Sequence, residues 1–233
     1  MSNKIPEYIN IAFNEYQNEM KKLQMLVKTS REYLLSAAHP GNKKIPYLHL
    51  SVVSLFLRQA IELIIFSSLV VNRPEYSKNK DLSSWNINKV IKEIEKINSN
   101  WFHRAIEEVE VDFDKKDLDE IKKMNVQLHP DQNKKIIWKD KENVINKNDL
   151  VSHYTYLSNF IHYENLLKIN PKKWNSDNFI KYTLLKLNKI SVDIMELTNK
   201  HIVYLPDEDW IFFINVTNTL VNGNIFERKK IMN

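Results

Sequence analysis

Two polar strips, each within a largely apolar segment, hold the residues of this chain best suited to chemistry. In residues 47–71, YLHLSVVSLFLRQAIELIIFSSLVV, Arg58 and Glu62 are four residues apart, the spacing at which side chains pair on a helix. In residues 150–169, LVSHYTYLSNFIHYENLLKI, His162 is a candidate for proton transfer because imidazole titrates near neutral pH. The pair is either structural or part of a site, and His162 is either a hydrogen-bonded structural residue or a catalyst.

A helix over residues 47–71 positions the first strip. Successive residues of a helix turn by about 100°, so Ser51, Ser54, Arg58 and Glu62 fall on one narrow side, while apolar residues cover the others. A helix that is apolar almost all round is normally central to a bundle. Its polar strip is then either its one solvent-facing edge or a buried site.

A second helix, over residues 150–169, carries a wider polar strip. Ser158 and Asn165 lie about one turn from His162 on the same side and are placed to orient its imidazole. His153 points to the opposite side of the helix. Only one of these two histidines therefore belongs to the strip.

Basic residues are concentrated in several short segments. The formal net charge is +5, from 34 basic and 29 acidic residues, which permits nucleic-acid binding without demanding it. Residues 134–141, KKIIWKDK, combine lysines that can hold phosphates with a tryptophan that can stack on a base, so they form either an RNA-binding segment or a solvated loop. The predicted RNA-binding residues are Lys134, Lys135, Trp138, Lys139 and Lys141.

Neither a metal ion nor a cofactor is predicted. The acidic residues between 107 and 114 form a run followed by lysines, with no glycine-containing loop to wrap an ion, and we interpret them as a solvated face. The chain has no cysteine, which excludes disulfides and thiolate chemistry. The sequence contains no glycine-rich phosphate loop and no HExxH or GxSxG motif.

The composition favours helices over a sheet. Only two glycines are present, and the tight turns of sheet proteins rely on glycine for positive φ angles. We predict an all-α fold, a bundle of about five main helices with short extra helices, formed by residues 1–205 as one domain. Residues 206–233 are predicted to be an extension packed on the bundle, with helix or strand undecided after residue 210. The predicted helices are residues 7–38, 47–71, 87–97, 101–111, 117–127, 150–169 and 177–204, and residues 128–148 are predicted to form a long loop.

The sequence is interpreted as that of a soluble, cytoplasmic protein. Residues 1–20 lack the uninterrupted apolar core of a signal peptide, and the apolar run of residues 51–71 contains Arg58 and Glu62. No membrane span and no membrane partner are predicted.

The two strips together resemble the HEPN superfamily of bacterial helical domains. The resemblance rests on Arg58 and Glu62 within FLRQAIELI and on Leu157, Ser158 and His162 within LSNFIHYEN, and it covers residues 47–169. It implies a helical bundle, often dimeric, of a kind common in toxin–antitoxin and phage-defence systems. Many members are metal-independent endoribonucleases whose arginine and histidine meet at the dimer interface. The usual family signature places the arginine shortly before the histidine on one helix, and this chain has no such pair.

The resemblance also implies roles for individual residues. His162 would move the proton of a ribose 2′-hydroxyl or of the leaving oxygen, and Arg58 would hold the scissile phosphate. Glu62 would fix Arg58, and Ser158 and Asn165 would orient His162 or the RNA. The expected partners are RNA and a second copy of the chain or a protein of the same system. The alternative is a non-catalytic sensor, regulator or scaffold in such a system.

Overall fold

Five helices and a five-stranded antiparallel sheet make up the described part of this protein in a computed structural model. The structure describes residues 5–38, 46–72, 86–112, 134–161, 177–206, 210–217 and 220–227. The prediction of an all-α fold is therefore wrong, and the architecture is mixed α/β. The helices are α1 (Glu7–Ala38), α2 (Pro46–Val71), α3 (Ile87–Ile97), α4 (Lys147–Ile161) and α5 (Asp177–Thr198). The strands are β1 (Arg104–Asp112), β2 (Lys134–Asp140), β3 (Lys200–Tyr204), β4 (Trp210–Val216) and β5 (Val221–Glu227).

Helix α2 lies at the centre of the helical layer, packed against α1, α3, α4 and α5. Leu57, Ile61 and Ile64 are among the fully buried residues on its circumference. A helix with apolar side chains on nearly every face removes most of them from water only by lying between others. The predicted helix over residues 47–71 is confirmed.

Helix α1 lies along α2 and turns one stripe of side chains towards it. Its buried residues recur at steps of three, four and seven, as expected for one face of a helix. The predicted bounds, residues 7–38, are confirmed. The buried residues are Ile9, Tyr16, Met20, Leu23, Val27, Ser30, Leu34 and Ala37.

The strands form one sheet in the order β2-β1-β3-β4-β5. Successive side chains of a strand alternate between its faces. Val203, Phe212 and Ile214 belong to the core shared with the helices, and their neighbours in sequence belong to a second, smaller cluster on the other face. That second cluster comprises Ile106, Ile202, Tyr204, Ile211 and Phe213, with Trp138 and Phe226 packed against it.

The predicted helix over residues 101–111 is wrong, because residues 104–112 form β1. In RAIEEVEVD, acidic and β-branched residues alternate from Glu108 onward, which is the period of a strand. Only Arg104 and Ala105 pair with β3, whereas residues 106–112 pair with β2. Strands β1 and β2 therefore continue as a two-stranded ribbon beyond the pairing with β3.

Strands correct two further predictions and decide a third that the sequence had left open. The predicted loop over residues 128–148 contains β2 and the start of α4, and the predicted helix over residues 177–204 ends at Thr198, with β3 following. Residues 210–216, left undecided by the sequence, form β4. Strands β2 and β3 pair with β1, and β4 pairs with β3 and β5, so each is stabilised by backbone partners that the periodicity of its own residues does not reveal. The predicted helical residues 117–127 and 162–169 lie outside the described residues.

Candidate functional site

Arg58 lies on α2 in a part-buried cluster with Glu62 and Tyr154 of α4. Its Nε donates to Glu62 Oε1 at 3.2 Å, and its Cζ lies 5.2 Å from the centroid of the Tyr154 ring. Tyr154 Oη also donates to Glu62 Oε1, at 3.1 Å. The side chains of Arg58 and Glu62 are 24% and 20% exposed. The guanidinium is thus fixed by an ion pair and a cation–π contact while one part of it remains accessible to solvent.

The outer nitrogens of Arg58 are available for an anion as far as the described residues are concerned. None of those residues accepts a hydrogen bond from Nη1 or Nη2, since the guanidinium contacts described above involve Nε and the Tyr154 ring. A guanidinium presents these two donors as a planar fork that matches a phosphate or carboxylate. The cluster therefore has the chemistry of an anion site.

Two serine hydroxyls on the same helices lack a hydrogen-bond partner among the described residues. These are Ser51 Oγ on α2 and Ser158 Oγ on α4, and both atoms are buried. An unpaired buried hydroxyl costs about 1–3 kcal/mol, so a ligand or a side chain that bonded to it would gain more than at an exposed hydroxyl. Ser158 lies four residues after Tyr154, on the side of α4 that carries the Arg58 contact.

Helix α4 is held in place at its start by a reciprocal cap. Asn146 Oδ1 accepts hydrogen bonds from the backbone N–H groups of Asn148 and Asp149, and Asp149 Oδ2 accepts one from Asn146 N–H. Such a capping box satisfies N–H groups that have no partner within the helix. Tyr154 is two turns beyond this cap, so the cap fixes the helix that carries it.

His162 and Asn165 lie outside the described residues, because the described part of α4 ends at Ile161. The predicted meeting of Arg58 with His162 stays a prediction. Among the described residues of α4, Tyr154 makes the contact with Arg58, and the sequence analysis did not single out this residue. The signal that was available is its spacing of four and eight residues from Ser158 and His162.

The predicted RNA-binding lysines lie on or next to β2, where acidic residues lie near two of them. The register pairs Glu107 with Lys139. Opposite charges at paired positions of a ribbon offset each other. Lys141 Nζ lies 3.9 Å from Glu196 Oε1, and Lys135 pairs with Val111. The positive field of this segment is therefore weaker than its lysine count suggests.

Trp138, the predicted base-stacking residue, already stacks within the protein. Its ring lies parallel to Phe213, with centroids 4.8 Å apart and an interplanar angle of 4°, and it makes an edge contact with Phe226 at 5.3 Å. One face of the indole is thus covered by Phe213. A base would have to use the other face.

The acidic run interpreted as a solvated face lies partly on β1. Glu108 accepts a hydrogen bond from Lys200 Nζ at 2.6 Å, and Glu107 is exposed. Within the ranges that the structure describes, no group of three or more histidine or acidic side chains is arranged to hold a metal ion.

A second polar cluster, which the sequence analysis missed, is buried between helices and sheet. Tyr16 Oη lies 2.9 Å from His103 Nε2 and 2.6 Å from His201 Nε2. The two imidazoles stack with centroids 4.6 Å apart and an interplanar angle of 9°. Ser67 Oγ lies 3.4 Å from His103 Nε2. We call these four residues the Tyr16 cluster; all of them are buried.

The hydrogen bonds of the Tyr16 cluster fix the position of each proton. His201 Nδ1 lies 2.9 Å from the carbonyl oxygen of Thr198, so it must carry a hydrogen, and Nε2 of the neutral ring is then an acceptor. Tyr16 Oη therefore donates to His201 Nε2 and accepts from His103 Nε2–H. His103 Nδ1 is left as a buried acceptor without a hydrogen-bond partner among the described residues.

Burial shifts the pKa of each titratable group in this cluster away from its charged form. It lowers the pKa of His201 to about 4, although the hydrogen bond to Thr198 works in the opposite direction. Burial, and then the charge of His201, lower the pKa of His103 well below its usual value. The pKa of Tyr16 is raised by burial. Both imidazoles are thus neutral at pH 7, with little capacity to act as bases there.

His153 of α4 makes a separate contact with α5. Its Nε2 lies 2.9 Å from Asp193 Oδ2, and Lys189 Nζ lies 3.0 Å from Asp193 Oδ1. The side chains of His153 and Asp193 are 8% and 11% exposed. This pair joins two helices, and the Arg58 cluster does not include it.

Comparisons with known proteins found no match to a family model, to a curated protein or to a solved structure. One helix, His49–Val71, is long and apolar enough to cross a membrane by length and composition. Half of its most apolar window is buried inside the protein, and the core helix of a soluble protein passes the same test. The composition of α2 therefore does not distinguish a membrane span from a central helix.

Proposed function

We propose that this chain is an endoribonuclease whose site lies where α2 and α4 meet, with Arg58 as its phosphate-binding residue. The observation that carries the proposal is the fixed guanidinium of Arg58, held by Glu62 and Tyr154 with its outer nitrogens unused by described residues. A structural ion pair needs no third residue to orient it. An arginine held from two sides is preorganised for a ligand, which lowers the entropy lost on binding.

The proposed chemistry needs an arginine and a histidine. His162 would take the proton of a ribose 2′-hydroxyl, whose oxygen then attacks the adjacent phosphorus atom. The bond from phosphorus to the 5′-oxygen breaks, that oxygen receives a proton from water, and His162 returns the proton it took to the solvent. The products are a 2′,3′-cyclic phosphate and a 5′-hydroxyl end. Arg58 would stabilise the charge that develops on the phosphate oxygens.

Supporting roles are proposed for four further residues. Glu62 and Tyr154 would keep Arg58 in place, and Ser158 and Asn165 would orient His162 or the RNA. Because acidic residues lie near Lys139 and Lys141, we assign the β2 segment only a minor share of the RNA affinity. A second copy of the chain, in the cytoplasm of a cell defending itself against phage, is the partner that the HEPN resemblance suggests.

The test compares RNA cleavage by the wild-type protein with cleavage by Arg58→Ala and His162→Ala. Each variant is expected to lose at least about a hundredfold in rate, the usual contribution of a general acid–base or oxyanion-binding group. Sequencing of cleaved ends should find 5′-hydroxyl termini with the wild type alone. Far-UV circular dichroism and thermal unfolding should be the same for all three proteins.

Arg31→Ala is the matched control for the arginine. Arg31 is an exposed arginine on α1 whose Nη1 contacts Met195 Sδ at 3.3 Å, outside the proposed site. It should cleave RNA like the wild type. Full cleavage by Arg58→Ala, or an equal loss in Arg31→Ala, would rule out the assigned role of Arg58.

A second candidate function is a non-catalytic interaction module. It is favoured by large apolar side chains that are strongly exposed on two helices, Met25 at 69% and Leu35 at 74% on α1 and Leu185 at 63% on α5. Such residues are common at contacts with other proteins when they lie together. This candidate predicts that phage defence survives Arg58→Ala and His162→Ala but is lost on Leu35→Glu.

A further inference from the structure

The Tyr16 cluster connects the helical layer to the sheet. Tyr16 comes from α1, Ser67 from α2 and His201 from β3, while His103 immediately precedes β1. Phe212 of β4 packs on Tyr16 with ring centroids 6.1 Å apart. Five elements of the fold thus meet at two imidazoles and one phenol, which do not belong to the proposed RNA site.

The cluster is not arranged to satisfy the N–H group that an additional proton would create. A proton added to His201 would go to Nε2, where Tyr16 already donates, and Tyr16 would then face N–H groups from both histidines. The phenol would then have to turn from His201 to another acceptor such as Ser67 Oγ, which breaks the bond that now joins α1 to β3. A proton added to His103 would go to Nδ1, which has no partner among the described residues. Protonation therefore either breaks the Tyr16–His201 hydrogen bond or leaves the new Nδ1–H group of His103 without a described partner, and both are costly in a buried site.

No described group next to the cluster offsets a positive charge. The groups that face it are Tyr16 from α1, Ser67 from α2, the Thr198 carbonyl at the end of α5 and the Phe212 ring from β4. None of the described residues contributes a carboxylate to it. A protonated imidazole would instead stack on the other imidazole, whose centroid is 4.6 Å away.

We propose that Tyr16, His103 and His201 form an acid-sensitive joint, which holds the helical layer on the sheet only while both imidazoles are neutral. The proposal goes beyond the RNA-cleaving function and is independent of it. Acidification below the ordinary histidine range weakens the joint and favours separation of β1 and β3 from α1 and α2.

The sign of the pH dependence follows from where the protons bind. In the unfolded chain each histidine binds a proton below about pH 6.5. In the folded cluster the pKa of both histidines is lower, so they bind a proton only at a lower pH. Stability is therefore constant above this pH and falls as the pH drops further. For each histidine, the ratio of folded to unfolded protein is expected to fall by up to about tenfold per pH unit.

The experiment is urea unfolding of the full chain between pH 8 and pH 4.5, followed by far-UV circular dichroism. The wild type should unfold at the same urea concentration at pH 8 and pH 7 and at progressively lower concentrations below pH 6.5. His201→Gln and the double variant His103→Gln/His201→Gln should show a smaller decrease. The control His49→Gln, a partly exposed histidine outside the cluster, should keep the wild-type decrease. A double variant that loses stability with pH as steeply as the wild type would overturn the proposal.

A second measurement uses only wild-type protein, so it does not depend on the variants folding. The chain has seven histidines, and ¹⁵N NMR of their imidazoles reports protonation and tautomer directly. Two of them are expected to remain neutral at pH 5.5 in the folded protein, one with its hydrogen on Nδ1 and the other with its hydrogen on Nε2. Seven imidazoles that all titrate near pH 6.5 in folded protein would overturn the proposal.

Discussion

At the scale of single residues, buried polar side chains that hydrogen-bond one another recur in this protein. The Tyr16 cluster is one case, and Asn98 with Asn72 and Tyr204 is another. Buried polar atoms are tolerated when each finds a partner, and the loss of one partner leaves the others unsatisfied. Such residues contribute through the atoms they pair rather than through the apolar area they bury.

Asn98→Ala is expected to lower the free energy of unfolding by about 2–3 kcal/mol. Asn98 Nδ2 donates to Asn72 Oδ1 at 3.2 Å and to the Tyr204 carbonyl oxygen at 2.9 Å, and its Oδ1 accepts from Asn100 N–H. The substitution removes all three bonds within a buried region. Chemical unfolding at pH 7.5 measures the change.

Asn100→Ala is the matched control for Asn98→Ala, because Asn100 is exposed and takes part through its backbone N–H. It should change stability by less than about 0.5 kcal/mol. Equal effects of the two substitutions would show that the polar network around Asn98 is not stabilising.

At the scale of elements, the pairing of β4 with β5 depends on a close backbone contact at a glycine. One of the two glycines, Gly223, lies in β5 opposite Ile214 of β4. A Cβ atom placed there would lie 2.2 Å from the Phe213 carbonyl oxygen and 2.8 Å from Ile214 Cδ1. The backbone oxygen cannot move away without disturbing the pairing of β4 with β5.

Gly223→Ala is expected to destabilise the protein by about 1–3 kcal/mol, the usual cost of overpacking. Thermal unfolding followed by circular dichroism measures it. Asn224→Ala, at the next, exposed position of β5, is the control and should unfold like the wild type. A Gly223→Ala variant as stable as the wild type would mean that β5 tolerates a shift away from β4.

At the scale of the whole molecule, the helices and the sheet share one core. Phe212 and Ile214 of β4 are fully buried in the same cluster as Leu57 and Ile61 of α2. Phe13 of α1 packs edge-on against Phe212, with ring centroids 5.1 Å apart. The helical layer therefore needs the sheet to keep its inner face out of water.

A protein comprising residues 1–205 is expected not to fold cooperatively. It lacks β4 and β5, so β3 loses one of its two partner strands and the helical core loses Phe212 and Ile214. Burying one large apolar side chain contributes about 1.5–3 kcal/mol, and domains are stable by only about 5–15 kcal/mol in total. Urea unfolding and one-dimensional NMR should reveal no sharp transition and poor dispersion. A shortened protein with the cooperativity of the full chain would show that residues 1–205 fold as an independent bundle.

Of the proposed site, the sequence identified Arg58 and Glu62, because a helix brings residues four apart together without help from the rest of the fold. It did not identify Tyr154, whose contact with them requires α4 to pack on α2. Similarly, the helix period alone places Tyr16 on the buried stripe of α1, but its partners His103 and His201 are 87 and 185 residues away. Nothing in the local sequence of either histidine indicates a shared hydrogen bond.

The amino-acid sequence by itself determined α1 and α3, whose apolar residues repeat with the helix period, and α2, whose long apolar run carries a four-residue-spaced charged pair, because helical hydrogen bonds are local. The tertiary structure alone decided the sheet. Strand β1 pairs with β2 and with β3, both of which are distant from it in the chain, and β1 and β3 lie in segments whose residues also fit a helical spacing. Strand pairing and burial on the helical layer outweighed local helix propensity there, and the same packing assembled the Tyr16 cluster.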